Sequence, residues 1–317
     1  MRLHTNIQDF TELIRLTAMH FSILPEFIEK DYWITLVLNN LSQSSHANSV
    51  VFKGGTSLAK GYCIINRFSE DIDIALLDEK LTGNALKTKI RKIEKIITAD
   101  LTEIEEQGVT HKGSMYRKSL FQYPSNINSR LVNNVQKRII VEINSFANPY
   151  PFVKQKISSF IAEFLTATNQ ADAVQEYGLQ QFLLNILDKR RTMLEKLVSL
   201  IRFSFAENPS RELAKKIRHF YDLYYLAKDE ECAKYLQSFE FQKNLSELLI
   251  RDQQEFDEPQ DWQTKAIKYS PLITDFPNLW TNLRSIYQNE LTPLAFSKIP
   301  SEKLIEESFM KIIKKTI

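Results

Sequence analysis

Asp71 and Asp73 stand two residues apart in the run Asp71-Ile72-Asp73-Ile74, bounded by further apolar residues. In an extended strand alternate residues share a face, so both carboxylates project together while Ile72 and Ile74 point into a core. Two carboxylates on one rigid strand repel each other unless a cation lies between them. Oxygen pairs of this kind suit Mg²⁺ when it also holds substrate phosphates. Upstream, Val51-Phe52-Lys53 leads into Gly54-Gly55-Thr56-Ser57. A Gly-Gly turn lets backbone N–H groups approach an anion closely, because no Cβ holds it off. A helix starting at Thr56 or Ser57 would add a positive dipole end and two hydroxyls. A phosphate turn followed by a two-carboxylate strand points to metal-assisted phosphoryl or nucleotidyl transfer.

A third carboxylate lies in Lys137-Arg138-Ile139-Ile140-Val141-Glu142-Ile143-Asn144, an otherwise apolar strand pattern. Glu has low strand propensity and is costly to bury unpaired. Either it turns to solvent or pairs with Arg138 or Lys137, or it joins Asp71 and Asp73 as the third ligand that two-metal transfer requires. Two helical stretches further on also carry candidate groups: Arg191-Thr192-Met193-Leu194-Glu195-Lys196-Leu197 and Arg218-His219-Phe220-Tyr221-Asp222-Leu223. Taken alone, Lys196 reads as a solvated lysine, His219 as a packed helix residue, and Asp222 as the partner of Arg218 four residues earlier.

The elements that must position these groups are legible in outline. Apolar spacing predicts helices over 7–22 and from Pro25 to about Leu41. Within the second, Glu29-Lys30-Asp31 reads as charges in water, with Ile28, Trp33, Leu36 and Leu38 turned inward. A strand is expected at 50–52, a charged helix over 85–107 ending at Gly108, and strands over 109–124 and 137–146. Asn148-Pro149-Tyr150-Pro151 breaks the pattern and suggests a domain boundary. Beyond it the reading is helical: 155–168, 179–206, 210–228, 230–249, 261–268, 276–290 and 300–316. The fold class is therefore α+β, a mixed sheet with helices followed by an all-helical domain.

Composition is that of an ordinary globular chain, with 317 residues, 43% hydrophobic and 25% charged. A net charge of +2 argues against a highly basic nucleic-acid scaffold. Basic residues do cluster, at Lys87–Lys95, Lys189–Arg191, Lys215–Arg218 and Lys311–Lys315. Cys63 and Cys232 are too few for a disulfide framework, and Cys63 reads as a small core residue. No signal peptide or membrane span is visible, so a cytoplasmic protein is expected.

The order of Gly-Gly turn, helix and Asp-x-Asp resembles the nucleotidyltransferase signature of the polymerase-beta superfamily. The fuller string, Gly54-Gly55-Thr56-Ser57-Leu58 followed by Arg67-x-Ser69-x-Asp71-x-Asp73, resembles the AbiEii/AbiGii toxin family. A segment similar to Glu29-Lys30-Asp31-Tyr32 also precedes the Gly-Gly strand in that family. The resemblance implies a catalytic domain at 1–150 and a helical domain at 151–317 that completes the active cleft. It implies that Gly54, Gly55, Thr56, Ser57, Arg67 and Ser69 serve the nucleotide. Asp71, Asp73 and Glu142 would bind two Mg²⁺. Lys196 would reach the triphosphate, and Asp222 would orient Lys196 or the acceptor. The implied activity is transfer of a nucleoside monophosphate from a nucleoside triphosphate to an RNA, the tRNA 3′ end foremost, by a toxin paired with an antitoxin. Nucleotidyl or phosphoryl transfer to a protein or small molecule, and an inactive binding module, are the alternatives.

Overall fold

The structure is a computed structural model, and it describes residues 1–77, 81–125, 127 and 136–316. Its contacts divide the chain into two units: Met1–Tyr62 with Phe68–Leu187, and Cys63–Arg67 with Asp188–Ile317. The first unit is built in the order α1 (Ile7–Phe21), α2 (Pro25–Gln43), β1 (Val50–Lys53), α3 (Gly54–Lys60), β2 (Asp71–Leu76) and α4 (Gly83–Ile97). It continues with β3 (Thr102–Ile104), β4 (His111–Lys112), β5 (Tyr116–Gln122), β6 (Arg138–Asn144), β7 (Phe152–Ile157), α5 (Phe160–Ala167), α6 (Ala171–Glu176) and β8 (Phe182–Leu187).

The strands form one mixed sheet in the order β3-β5-β6-β2-β1-β8-β7, with β4 added on β5. Strand β2 runs parallel to β6 and antiparallel to β1, so the Asp-x-Asp strand sits near the middle of the sheet. Ile72, Ile74, Ile139, Val141 and Ile143 are fully buried on the core side. Helices α2 and α4 pack on each other and on β6. Strand alternation thus sends the apolar residues to the core and leaves the carboxylates on the other face.

Two of the expected helices begin as strands. β7 occupies the start of the 155–168 segment and β8 the start of 179–206. The run Phe-Leu-Leu-Asn-Ile-Leu of β8 is apolar at all positions but Asn185, which periodicity cannot separate from a buried helix. β7 is an edge strand whose exposed Lys154 and Lys156 break the apolar alternation. The contact boundary accordingly falls after Leu187 instead of at residues 148–151. The 85–107 helix stops at Ile97, and Thr102–Ile104 pairs with β5 instead. The 109–124 strand is divided by a turn into β4 and β5. Cys63, expected in a core, is exposed.

The second unit is helical: α7 (Lys189–Ser204), α8 (Pro209–Ala214), α9 (Ile217–Lys228), α10 (Glu230–Tyr235), α11 (Phe239–Glu255), α12 (Pro271–Thr274), α13 (Phe276–Leu291) and α14 (Glu302–Ile313), joined by short 3₁₀ turns. Its core is aromatic, with Phe220 of α9 against Phe276, Trp280 and Phe309. No helix among the described residues is long and apolar enough to cross a membrane.

Candidate active site

Register assembles the carboxylates. Lys53 of β1 lies opposite Asp73 of β2, Asp73 opposite Glu142 of β6, and Glu142 opposite Lys118 of β5. Directly paired residues share a face, so Lys53, Asp73, Glu142 and Lys118 form one row across four strands. Asp71 stands two residues along the same face. Lys118 Nζ is 2.7 Å from Glu142 Oε1, and the Tyr116 hydroxyl donates to Glu142 Oε2 at 2.9 Å. Of the partners considered for Glu142, Arg138 instead pairs with Glu106, and Lys137 donates to the Ile127 carbonyl. Burial, then the charges of Glu142, Asp73 and Asp71, push the Tyr116 hydroxyl up. Burial alone would lower the Lys118 ammonium, but Glu142, Asp71 and Asp73 more than offset it, and the net shift is upward. The face is a concentrated negative field.

Gly54 is built into that field. Its φ is +80°, and a Cβ there would lie 2.0 Å from Asp73 Oδ2. No other residue fits this close approach of turn to carboxylate. The hydroxyls beside it are turned inward. Thr56 Oγ1 donates to the Asp71 carbonyl at 2.5 Å, Ser57 Oγ donates to the Gly54 carbonyl at 2.8 Å, and both residues are buried. They brace the turn and the start of β2, where the sequence suggested that they face phosphates. Gly54→Ala is expected to lower stability by about 1–2 kcal/mol from the left-handed backbone alone. Displacement of Asp73 should cost the transfer rate about a hundredfold more. Urea unfolding and initial rates check the two effects separately.

Behind the turn, α2 corrects the reading of its charges. Glu29, Lys30 and Asp31 are buried, not solvated. Asp31 forms an ion pair with Lys60, the last residue of α3, and accepts from the Phe160 backbone N–H at 2.9 Å. Lys30 Nζ lies 3.2 Å from Glu70, the residue before Asp71. Burial pushes the Lys30 ammonium down, and Glu70 pulls it back up. Ser125 donates to Glu29 at 2.7 Å. The helix is buried on every side over Phe27–Leu38, and its apolar residues, from Phe27 and Ile28 to Val37 and Leu38, fall all round it, so a charge within it has no wet face. Both ends of the segment that carries the Gly-Gly turn and Asp71 are thereby tied to one buried helix.

The second unit holds its own buried cluster. The Arg67 guanidinium grips Asp222 in a fork, with Nε to Oδ1 at 2.8 Å and Nη2 to Oδ2 at 2.7 Å. Lys196 Nζ lies 2.8 Å from the same Oδ2. Asp222 is fully enclosed, Lys196 and Arg67 nearly so, and His219 is half-buried. Burial favours a neutral Asp222, yet Arg67 and Lys196 outweigh it and hold the carboxyl well below the usual range. Burial, then Lys196 and Lys216, push His219 well down. The partners of Asp222 come from Arg67 and from the preceding long helix, not from Arg218 one turn earlier. Ser69 lies half-buried in the first unit, two residues before Asp71.

No curated protein matches the chain. A similar solved structure is MenT4, a nucleotidyltransferase toxin of Mycobacterium tuberculosis H37Rv, at 16% identity over 96% of this chain and 98% of that one, with a TM-score of 0.46. The model of a protein family described as nucleotidyl transferase AbiEii toxin, type IV toxin–antitoxin system, matches residues 36–293. The chain belongs to the AbiEii toxin family. It is a nucleotidyltransferase of that family, and the α+β reading of a mixed sheet followed by helices holds.

Whether the AbiEii residues of this chain fit a cation can be judged from the donor set. Asp71 and Asp73 offer hard oxygen ligands on one face, and the missing Cβ of Gly54 is what lets the Asp73 carboxylate sit against the turn. This pair fits a divalent ion. Among the described residues, no three Asp, Glu, His or Cys side chains converge as a metal-binding group. Glu142 is engaged by Lys118 and Tyr116. Tyr116 and Lys118 escaped the sequence reading. Their spacing of two on a strand antiparallel to β6 is the signal that would have paired them with Glu142.

Proposed function

We propose that this chain moves a nucleoside monophosphate from a nucleoside triphosphate to the 3′ end of an RNA, tRNA foremost, with pyrophosphate leaving. The observation that carries this reading is the register of Asp73 with Glu142 beside Asp71, with Gly54 pressed against Asp73. Asp71 and Asp73 would hold Mg²⁺, and Glu142 would join them for a second ion where Lys118 gives way. Bound Mg²⁺ would supply neutralisation of phosphate charge and a lowered pKa for the attacking hydroxyl. The Gly54-Gly55 turn offers backbone N–H groups to the phosphates, and Thr56 and Ser57 hold it rigid. Lys196 neutralises charge on the departing pyrophosphate, with Asp222 and Arg67 fixing its position. Ser69 supplies a hydroxyl to a phosphate oxygen. On this reading the protein acts in the cytoplasm, beside an antitoxin encoded with it.

The test supplies purified protein with Mg²⁺, bulk tRNA and each triphosphate labelled at the α- or the γ-phosphate. Label entering tRNA from the α position only, and lost on adding a chelator, is the expected result. Label from the γ position would mean phosphoryl transfer. Label entering a protein extract while tRNA stays blank would move the acceptor to protein.

A further inference from the structure

The sheet also has a cleft on the side away from the carboxylates. It measures about 740 Å³ and lies among α4, β3, β4 and β5. Arg117 lines it, and strand alternation puts Arg117 on the face opposite its neighbour Lys118. One wall is a stripe of α4: Lys87, Arg91 and Lys95 recur every four residues, about 6 Å apart along the axis. All three are exposed, and among the described residues none of them forms an ion pair.

The acidic groups of the cleft are already neutralised. Glu94 forms a buried ion pair with Arg117, whose Nη2 is also 3.6 Å from Glu103. Lys112 lies 3.1 Å from that same Glu103 and 2.5 Å from Glu105. With those charges matched, the three α4 cations are left over, in line along one wall of the open cleft. A solvated helix face would be convex and mixed in sign; this arrangement instead fits a chain of phosphates.

The geometry points to this cleft as the surface that holds the phosphate backbone of the acceptor RNA. It is a docking track at the β3–β5 edge of the sheet, separate from the carboxylate row that does the chemistry. The inference rests on the RNA-acceptor reading above, but its test reads binding and not transfer.

Full-length protein is titrated into 5′-labelled bulk tRNA over a series of salt concentrations. Lys87→Ala/Arg91→Ala/Lys95→Ala is compared with Lys243→Ala/Lys303→Ala/Lys311→Ala, which removes the same charge from exposed positions in the second unit. The cleft variant should bind on the order of tenfold more weakly, with a log–log salt slope shallower by about 2, while the control stays near wild type. Circular dichroism melting shows whether both remain folded, as exposed substitutions should. A single-stranded DNA of equal length should bind more weakly than the tRNA, and polyglutamate should not compete. Wild-type affinity in the cleft variant would overturn the proposal, and so would equal loss in the control. Equal competition by polyglutamate would overturn it in favour of an acidic protein partner. Binding without transfer would leave the cleft standing and remove the proposed activity. No binding of tRNA by the wild type would remove both the cleft and the RNA acceptor, without touching transfer to another substrate.

Discussion

Asp73→Asn is expected to slow nucleotide transfer at least a thousandfold while leaving the fold intact. Asp73 is the residue on which the site converges: Lys53 and Glu142 pair with it in register, and Gly54 lies against its carboxylate. Removing its charge halves the Asp71–Asp73 donor pair, and a lost metal ligand withdraws several kcal/mol of transition-state stabilisation. At 1.36 kcal/mol per decade, about 4 kcal/mol corresponds to the thousandfold loss. The shape of the side chain is kept, and one like-charge repulsion with Glu142 disappears. The melting temperature without metal should therefore stay within a few degrees of wild type, or rise. Adding Mg²⁺ should raise the melting temperature of the wild type through preferential binding to the folded state and should raise that of the variant less. A rate within tenfold of wild type, or an equal Mg²⁺-induced rise, would remove Asp73 from the site.

The parts of this site that were legible are those written in local pattern. Asp71 and Asp73 alternate with buried Ile72 and Ile74, so strand and facing follow from the period alone. Glu142 stood out as the single carboxylate in an apolar strand, and its pairing with Asp73 needed only that β6 lie beside β2. What the sequence hid depends on neighbours distant in the chain. Lys118 and Tyr116 reach Glu142 from β5, and nothing short-range announces that register. The inward turn of Ser57 reflects the backbone of Gly54, which no composition reveals. β8 was lost because a run apolar at every position but Asn185, and with Leu183 exposed, carries no strand period to read. Lys30 misled in the opposite direction. The habit of assigning charge to solvent fails where a helix is enclosed on all sides and each charge finds a partner, here Glu70 for Lys30 and Lys60 for Asp31.

Asp222→Ala should carry the largest stability cost of any single polar substitution in the helical unit. The carboxylate is fully buried and answers two cations at once, the Arg67 fork and Lys196. Removing it strands both charges away from water, a loss of about 3–5 kcal/mol. At roughly 2–4 °C per kcal/mol, the melting point should fall by about 10 °C. Asp222→Asn keeps the acceptor oxygen and should cost less. The pH dependence gives the sign. The folded-state pKa of Asp222 is depressed by Arg67 and Lys196, so its contribution is fully present above the ordinary carboxylate value and is lost as pH falls below it. The pKa of His219 is also depressed, by burial and nearby lysines, so its contribution fades first, as pH falls below about 6.5. Wild type should therefore lose stability in two stages on acidification. Asp222→Asn should keep the first stage and lose the second, converging with wild type at low pH. Lys196→Met separates this structural role from chemistry: Asp222 retains Arg67, so stability should fall much less than in Asp222→Ala while transfer collapses. If Lys196→Met instead loses stability as fully as Asp222→Ala and keeps its residual activity per folded molecule, the lysine is an ion-pair partner only.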